Sequence, residues 1–252
     1  MNLSIDVPVK VGAVTQKVLE LVNESEELFA LWEVTNVVAQ KRLHMTDHGI
    51  KHFQIVTDTA LSILDFLHSN KTTFSLEKDY HLAYDYSQTV VLLASILHDV
   101  GMSVHREGHE EFSLFIAHQL LEKLLQFLPV RERIIMRSEV LHAIISHRSG
   151  GKPLTIEAGV VRVADALDLT RDRISAVNKN NNLTIHEVSA DSIDSVTLTA
   201  GKKVPIVVDI VMNHTAGLFQ VDELLKRKVD GSGIEHFFDI KIILRKMKND
   251  SC

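Results

Sequence analysis

Apolar residues recur at helical spacing through most of the first 170 positions. VGAVTQKVLELV at 11–22 carries one such stripe. Asn23 followed by Glu26 has the form of a capping box. The helix it predicts runs to about Leu43, with Leu28, Leu31, Trp32, Val34, Val37 and Val38 as its apolar face. Thr46 and Asp47 are suited to cap a further helix carrying His48, His52, Ile55, Val56, Ala60, Ile63 and Leu64 to about Leu67. Residues 69–86 are polar and predict a connection with at most one short helix. Residues 88–99 are strongly apolar, end in His98-Asp99, and are followed by Gly101, a natural stop. Helices are predicted over 109–127, 131–147 and 156–170, with Ser149, Gly150, Gly151 and Pro153 breaking the chain between the last two.

The pattern changes near residue 180. Asn178, Lys179, Asn180, Asn181 and Asn182 read as a polar linker. Alternating β-branched runs follow at Leu183–Val188, Ile193–Thr199 and Val204–Met212, then a helix at 217–229 and a last strand at 236–245. The expected organisation is a mainly α chain, with a helical domain over 1–180 and a small α+β domain over 181–252. At its size the second unit needs a surface to pack on, either the helical part or another copy of itself.

Composition narrows the function. Of 252 residues, 45% are hydrophobic and 24% charged, the balance of a globular protein. No apolar run approaches the roughly 18 residues of a spanning helix, and MNLSIDVPVK lacks the apolar core of a signal peptide, so a cytoplasmic protein without membrane contact is expected. The single cysteine, Cys252, fits a reducing compartment. A net charge of −6 disfavours nucleic acid as a partner, since its phosphate backbone calls for a basic face, but leaves a nucleotide held by metal ions open.

Histidine is the anomaly. Of 14, 11 fall between His44 and His147, where even spreading would put about 6. Histidine is a poor helix former and a common metal ligand, so this excess within helical sequence asks for a reason. The His98-Asp99 pair closes a buried apolar helix, where a charged carboxylate is costly unless paired or metal-bound. Asp165 in VVRVADALDL meets the same cost, and His52 offers an imidazole from an upstream helix. Imidazole with carboxylate suits Mn, Fe, Co, Ni or Zn, with Mg where oxygen dominates.

This ordered set resembles the HD-domain metal-dependent phosphohydrolases: His52 in HGIKHFQIV, His98-Asp99 in LLASILHDVG, Asp165 in VRVADALD. The resemblance covers about residues 45–175 and implies an HD-type helical bundle, with the small α+β domain appended. It implies that His52, His98, Asp99 and Asp165 bind a divalent metal ion. His109, His142 and His147 resemble the extra ligands of the two-metal branch, in which Asp99 would bridge the ions. His142 stands about 140° around an ideal helix from His147, so one ion does not easily take both, and orienting substrate is its other reading. His48 precedes His52 by one helical turn; His52 is preferred because Val56 and Ile63 continue its inward stripe. Asp168, one turn after Asp165, reads either as a support behind the ligands or as a partner of Arg171. Cyclic-di-GMP hydrolases of the related branch carry a lysine soon after His-Asp and a Gly-Tyr-Pro motif downstream; here the matching stretches read HDVGM and SGGKP, which argues against that substrate.

The expected activity is hydrolysis of a phosphate ester, nucleotide-type monoester or diester, by a hydroxide generated on two divalent ions. Asp99 is the central catalytic candidate. His105, in the loop MSVHREGH, is a candidate acid for the leaving group, and Arg106 and Arg148 are candidate phosphate clamps. The alternative is a metal- or nucleotide-binding regulatory module that uses the C-terminal domain for partner contacts. The expected partners are a small phosphate ester and, through the C-terminal domain, another copy of the chain.

Overall fold

The computed structural model describes residues 4–148, 150–169 and 185–245. Its helices are α1 (Ala13–Asn23), α2 (Glu26–Asn36), α3 (Ile50–Ser69), α4 (Ser75–Tyr80), α5 (Tyr84–Leu97), α6 (His109–Leu124), α7 (Val130–Ser146) and α8 (Ile156–Ala166). Then come α9 (Ile185–Asp191), β1 (Ile193–Ala200), β2 (Ile206–Met212), a last helical turn α10 (Arg227–Val229) and β3 (Phe238–Leu244). This is a helical bundle with a small α+β unit at its C-terminal end, as expected. The boundary predicted at 180/181 lies outside the described residues.

The bundle is built around α5. Every residue from Ser87 to Leu97 is buried, so the helix is covered on all sides, with α1, α3, α7 and α8 against it. Its first turn also serves α1. The Asp85 carboxylate accepts hydrogen bonds from the Val14 and Thr15 amides at 2.7 and 3.0 Å, capping a neighbouring helix rather than its own. A Cβ on Gly12 would come within 2.2 Å of Asp85 Cγ, so this close approach depends on glycine. Trp32 enters the same core and its indole N–H donates to the Ile96 carbonyl at 3.0 Å.

Several local expectations are corrected. The cap of α2 is Ser25, which accepts from the Leu28 amide; the Asn23 amide instead bridges the backbone of Ile5. After Asn36 the helix widens into a π-helical stretch, Val37–Arg42. Helix α3 starts at Ile50, so His48 lies in the loop before it rather than on its face. The polar stretch 69–86 holds α4 and the start of α5.

In the C-terminal unit, the run expected as a strand at 183–188 is helical from Ile185. A short β-branched run is ambiguous by pattern, and docking decides it: Ser189 is buried and accepts from Gln220 Nε2 at 2.8 Å. The sheet order is β1-β2-β3, with β1 antiparallel and β3 parallel to β2. Ile206, Val208, Ile210 and Met212 alternate inward along β2. The β2–β3 crossover is helical, with a π-helical stretch at Gln220–Lys226 ahead of α10. The crossover lies against α8 and places α10 beside the polar end of the bundle.

Candidate metal centre

The polar end is assembled from the ends of five helices. His52 lies in the first turn of α3, His98-Asp99 follow α5 directly, His109 begins α6 and His147 caps α7, while Asp165 lies in the last turn of α8. The turn after Asp99 holds α6 close. The Gly101 amide donates to Ser113 Oγ at 2.8 Å, and that hydroxyl donates to the His98 carbonyl at 2.7 Å. A Cβ on Gly101 would meet the His109 carbonyl at 2.0 Å, so only glycine lets the start of α6 lie against this turn.

Each imidazole is oriented from behind. Nδ1 of His52 donates to Asp168 Oδ2 at 2.6 Å. Nδ1 of His98, His109 and His147 donates to the carbonyls of Ser95, Arg106 and Ile144 at 2.9, 2.9 and 2.6 Å. These bonds fix the tautomer and turn the four Nε2 lone pairs toward Asp99 and Asp165. His52 and His98 Nε2 stand 3.2 Å apart and each lies 3.7 Å from Asp165 Oδ1. Asp99 Oδ2 lies 3.7 and 3.5 Å from the same two nitrogens. Asp99 Oδ1 points the other way, 3.1 Å from His109 Nε2 and 3.5 Å from His147 Nε2.

Lone pairs crowded this closely attract positive charge. Burial alone would push the His98 imidazole down, but the Asp99 and Asp165 carboxylates offset it and hold its pKa above the ordinary value. Burial would raise Asp99, yet His98, His109 and His147 hold it well below the carboxylate range. Asp165 is likewise held low against burial, by Lys228 and His98. His147 is pushed down by burial. The donor set fits a divalent cation: ligand atoms of His52, His98 and Asp165, of His98, Asp99 and His147, and of His109, Glu110 and His147 lie within 4.8 Å of one another in each group.

The HD-domain family model matches residues 72–170, a stretch that includes His98, Asp99, His109, His147 and Asp165. An uncharacterized protein of Methanocaldococcus jannaschii, MJ1020, is 36% identical over 217 residues, which are 86% of this chain and 84% of that one. The chain belongs to the HD-domain family. Ribonuclease Y of Onion yellows phytoplasma is 26% identical over 147 residues, covering 54% of this chain but 25% of that protein. HD domains bind divalent metals, and His52, which lies ahead of the matched stretch, joins the cluster through geometry alone.

A pocket of about 290 Å³ opens onto the cluster, lined by Asp99, His109, His147 and Asp165 with His48, Arg106, Arg148 and Lys228 among its other walls. A larger groove of about 620 Å³, beside Phe29, Trp32 and Val37, is mostly apolar and holds none of these ligands. Arg106 lies against the His109 ring, its Nη1 3.2 Å from Nδ1. Arg148 stands at the rim and pairs with Glu111 at 2.8 Å.

Two of the expected site residues are not brought in. His142 is absent from the ligand groups: its Nε2 accepts from the Leu154 amide at 3.0 Å, on the side of α7 turned away from His147. Burial also lowers its pKa. His105 is exposed and folds onto its own loop, where its Nδ1 accepts from the Glu107 amide at 3.0 Å, outside the pocket wall. Asp168 takes the supporting role, while Arg171 lies outside the described residues.

Sequence reading missed Glu110, Gln220 and Lys228 at the pocket. Glu110 follows His109 directly, a carboxylate–imidazole pair like His98-Asp99 that spacing could have shown. Lys228 belongs to the basic run Lys226-Arg227-Lys228, which reads as a solvated helix face, and nothing local marks its pairing with Asp165, 63 positions away. Among the described residues no helix is long and apolar enough to cross a membrane.

Proposed function

We propose that the chain is a metal-dependent phosphohydrolase that cleaves a nucleotide-type phosphate ester with two divalent ions. The observation that carries this reading is the division of Asp99. Its two oxygens face two different imidazole pairs, His52 with His98 and His109 with His147, which is the disposition of a carboxylate shared by two ions. His52, His98, Asp99 and Asp165 would hold one ion, and Asp99, His109 and His147 the second, with Glu110 in reach of the latter.

When bound, such ions supply water acidic enough to lose its proton near neutral pH and neutralise charge on phosphoryl oxygens. The protein's own groups do the rest. Asp168 and the carbonyls of Ser95, Arg106 and Ile144 hold the Nδ1 atoms and so fix the direction in which each Nε2 points. Arg106 and Arg148, at the pocket wall, bind phosphate oxygens of the ester.

A second copy of the chain and a cytoplasmic setting remain part of this reading. The likeness to a protein named Ribonuclease Y supports trying phosphodiesters first, while the net charge of −6 favours a small ester over long RNA. The experiment is a chelator-stripped protein reloaded with Mn, Co, Ni or Mg, assayed on bis-p-nitrophenyl phosphate and p-nitrophenyl phosphate beside metal analysis. Metal-dependent release of p-nitrophenol is expected. Protein that binds metal and cleaves neither ester, nor any nucleotide in a panel, would sink the reading.

A further inference from the structure

One wall of the pocket comes from outside the bundle. Lys228, in α10 of the C-terminal unit, reaches across and pairs with Asp165 Oδ2. The other oxygen, Oδ1, is the one that faces His52 and His98. The ammonium group therefore sits beside the ligand set without occupying its centre, and Asp165 can serve both at once.

The backbone of Lys228 is anchored. Arg162, one turn before Asp165 on α8, is 1% exposed, and its Nε donates to the Lys228 carbonyl at 2.8 Å. Its Nη2 donates to the Arg227 carbonyl at 3.3 Å, while its Nη1 donates to those of Arg148 at 2.5 Å and Gly151 at 2.8 Å. One buried guanidinium thus fixes the main chain under two of the pocket's cations. The carboxylates of Asp99, Glu110, Asp165 and Asp168 line the same space, so an incoming phosphate needs positive charge held close. Each of the two cations pairs with a carboxylate, but the Lys228 side chain is 19% exposed against 45% for Arg148, so solvent screens its charge less.

We infer that Lys228 is a phosphate-binding residue of this site, and that the α+β unit thereby supplies part of the active centre. The inference rests on the phosphohydrolase reading above. With one ammonium N–H on Asp165, two remain for phosphate oxygens, and a lysine suits this as a compact point charge with rotatable donors.

The test titrates full-length protein, reloaded with Mn, with inorganic phosphate in a calorimeter, after Mn affinity has been measured in the same way. Lys228→Met is expected to bind Mn as the parent does and phosphate about tenfold more weakly, the size of one charge-assisted hydrogen bond. Lys228→Arg should retain most of the phosphate affinity. Lys226→Met, on the exposed face of the same segment, should leave it unchanged. Lys228→Gln, read the same way, covers the case in which the Met variant does not fold. Phosphate affinity equal to the parent's in Lys228→Met or Lys228→Gln would overturn the inference while ester hydrolysis by the parent stands. Loss of Mn together with phosphate would also overturn it, since the lysine would then act only by holding Asp165. A parent that binds Mn but no phosphate and cleaves no ester would fail one level earlier, at the reading of the site itself.

Discussion

The same helices build two unlike interiors. Along α3 and α5, Val56, Ala60, Leu64, Val91 and Leu93 are fully buried in the hydrophobic core. At the ends of those helices, equally buried positions hold His52, His98 and Asp99. The first region gains stability from each methylene removed from water. The second buries charge and lone pairs, which is favourable only when a cation or proton lies among them. Burial alone therefore says nothing of function; what a buried position does with its polar atoms does. The apolar region should respond to mutation in stability, and the polar region in metal binding.

The largest break in this comparison is expected from Asp99→Ala. It removes the carboxylate that faces both imidazole pairs, so bound metal should fall and ester hydrolysis should drop by about a thousandfold or more. Thermal unfolding of the metal-free variant should still show a cooperative helical transition. Undiminished metal content would show that Asp99 is not shared as described.

Leu64→Ala is the converse. It leaves a cavity in the dry region and should cost roughly 2–5 kcal/mol of stability in urea unfolding. Its metal stoichiometry should match the parent's. A loss of metal would mean that the two interiors are coupled.

Asp168→Asn sharpens the boundary between them, since Asp168 meets the ligand set through His52 Nδ1. Metal affinity should weaken by about 10–100-fold, as for other groups that orient a ligand. Calorimetry with Mn reads this, and unchanged affinity would assign Asp168 to packing.

The smallest effect concerns a carboxylate outside both regions. Asp58, half-buried on α3, has its pKa raised by burial, against a hydrogen bond from Gln54 and with Asp6 nearby. A carboxyl whose pKa rises on folding favours the folded state when protonated, so stability is lost as pH rises through the raised value. Asp58→Asn should therefore raise the thermal midpoint slightly at neutral pH, and the gain should vanish below about pH 4, where the unfolded carboxyl is also protonated. A gain that persists in acid would point to packing rather than charge.

Much of the fold is legible in the chain. The 3.6-residue stripes of α3 and α8 and the continuous apolar run of α5 are local properties and predict those helices, with ends displaced by a few residues. The pair His98-Asp99 is equally local, whereas His52 and Asp165 stand 113 positions apart and are gathered by the structure. Legibility fails where geometry rather than pattern decides. His142 and His147 share a helix and a residue type, yet Leu154 takes the lone pair of one and Asp99 faces the other. His105 looks like an overhanging acid, but its own loop captures the ring.

The sequence by itself determined most of the bundle's helices, which of them is buried, and that histidines are concentrated between His44 and His147. These follow from periodicity and composition, which act over a few residues. Only the tertiary structure decided how the oxygens of Asp99 are divided, that Asp168 orients His52 across 116 positions, and that Lys228 arrives from the C-terminal unit. Those contacts join residues far apart in the chain, so their distances are set by helix packing and by the Arg162 anchor, which no local pattern encodes.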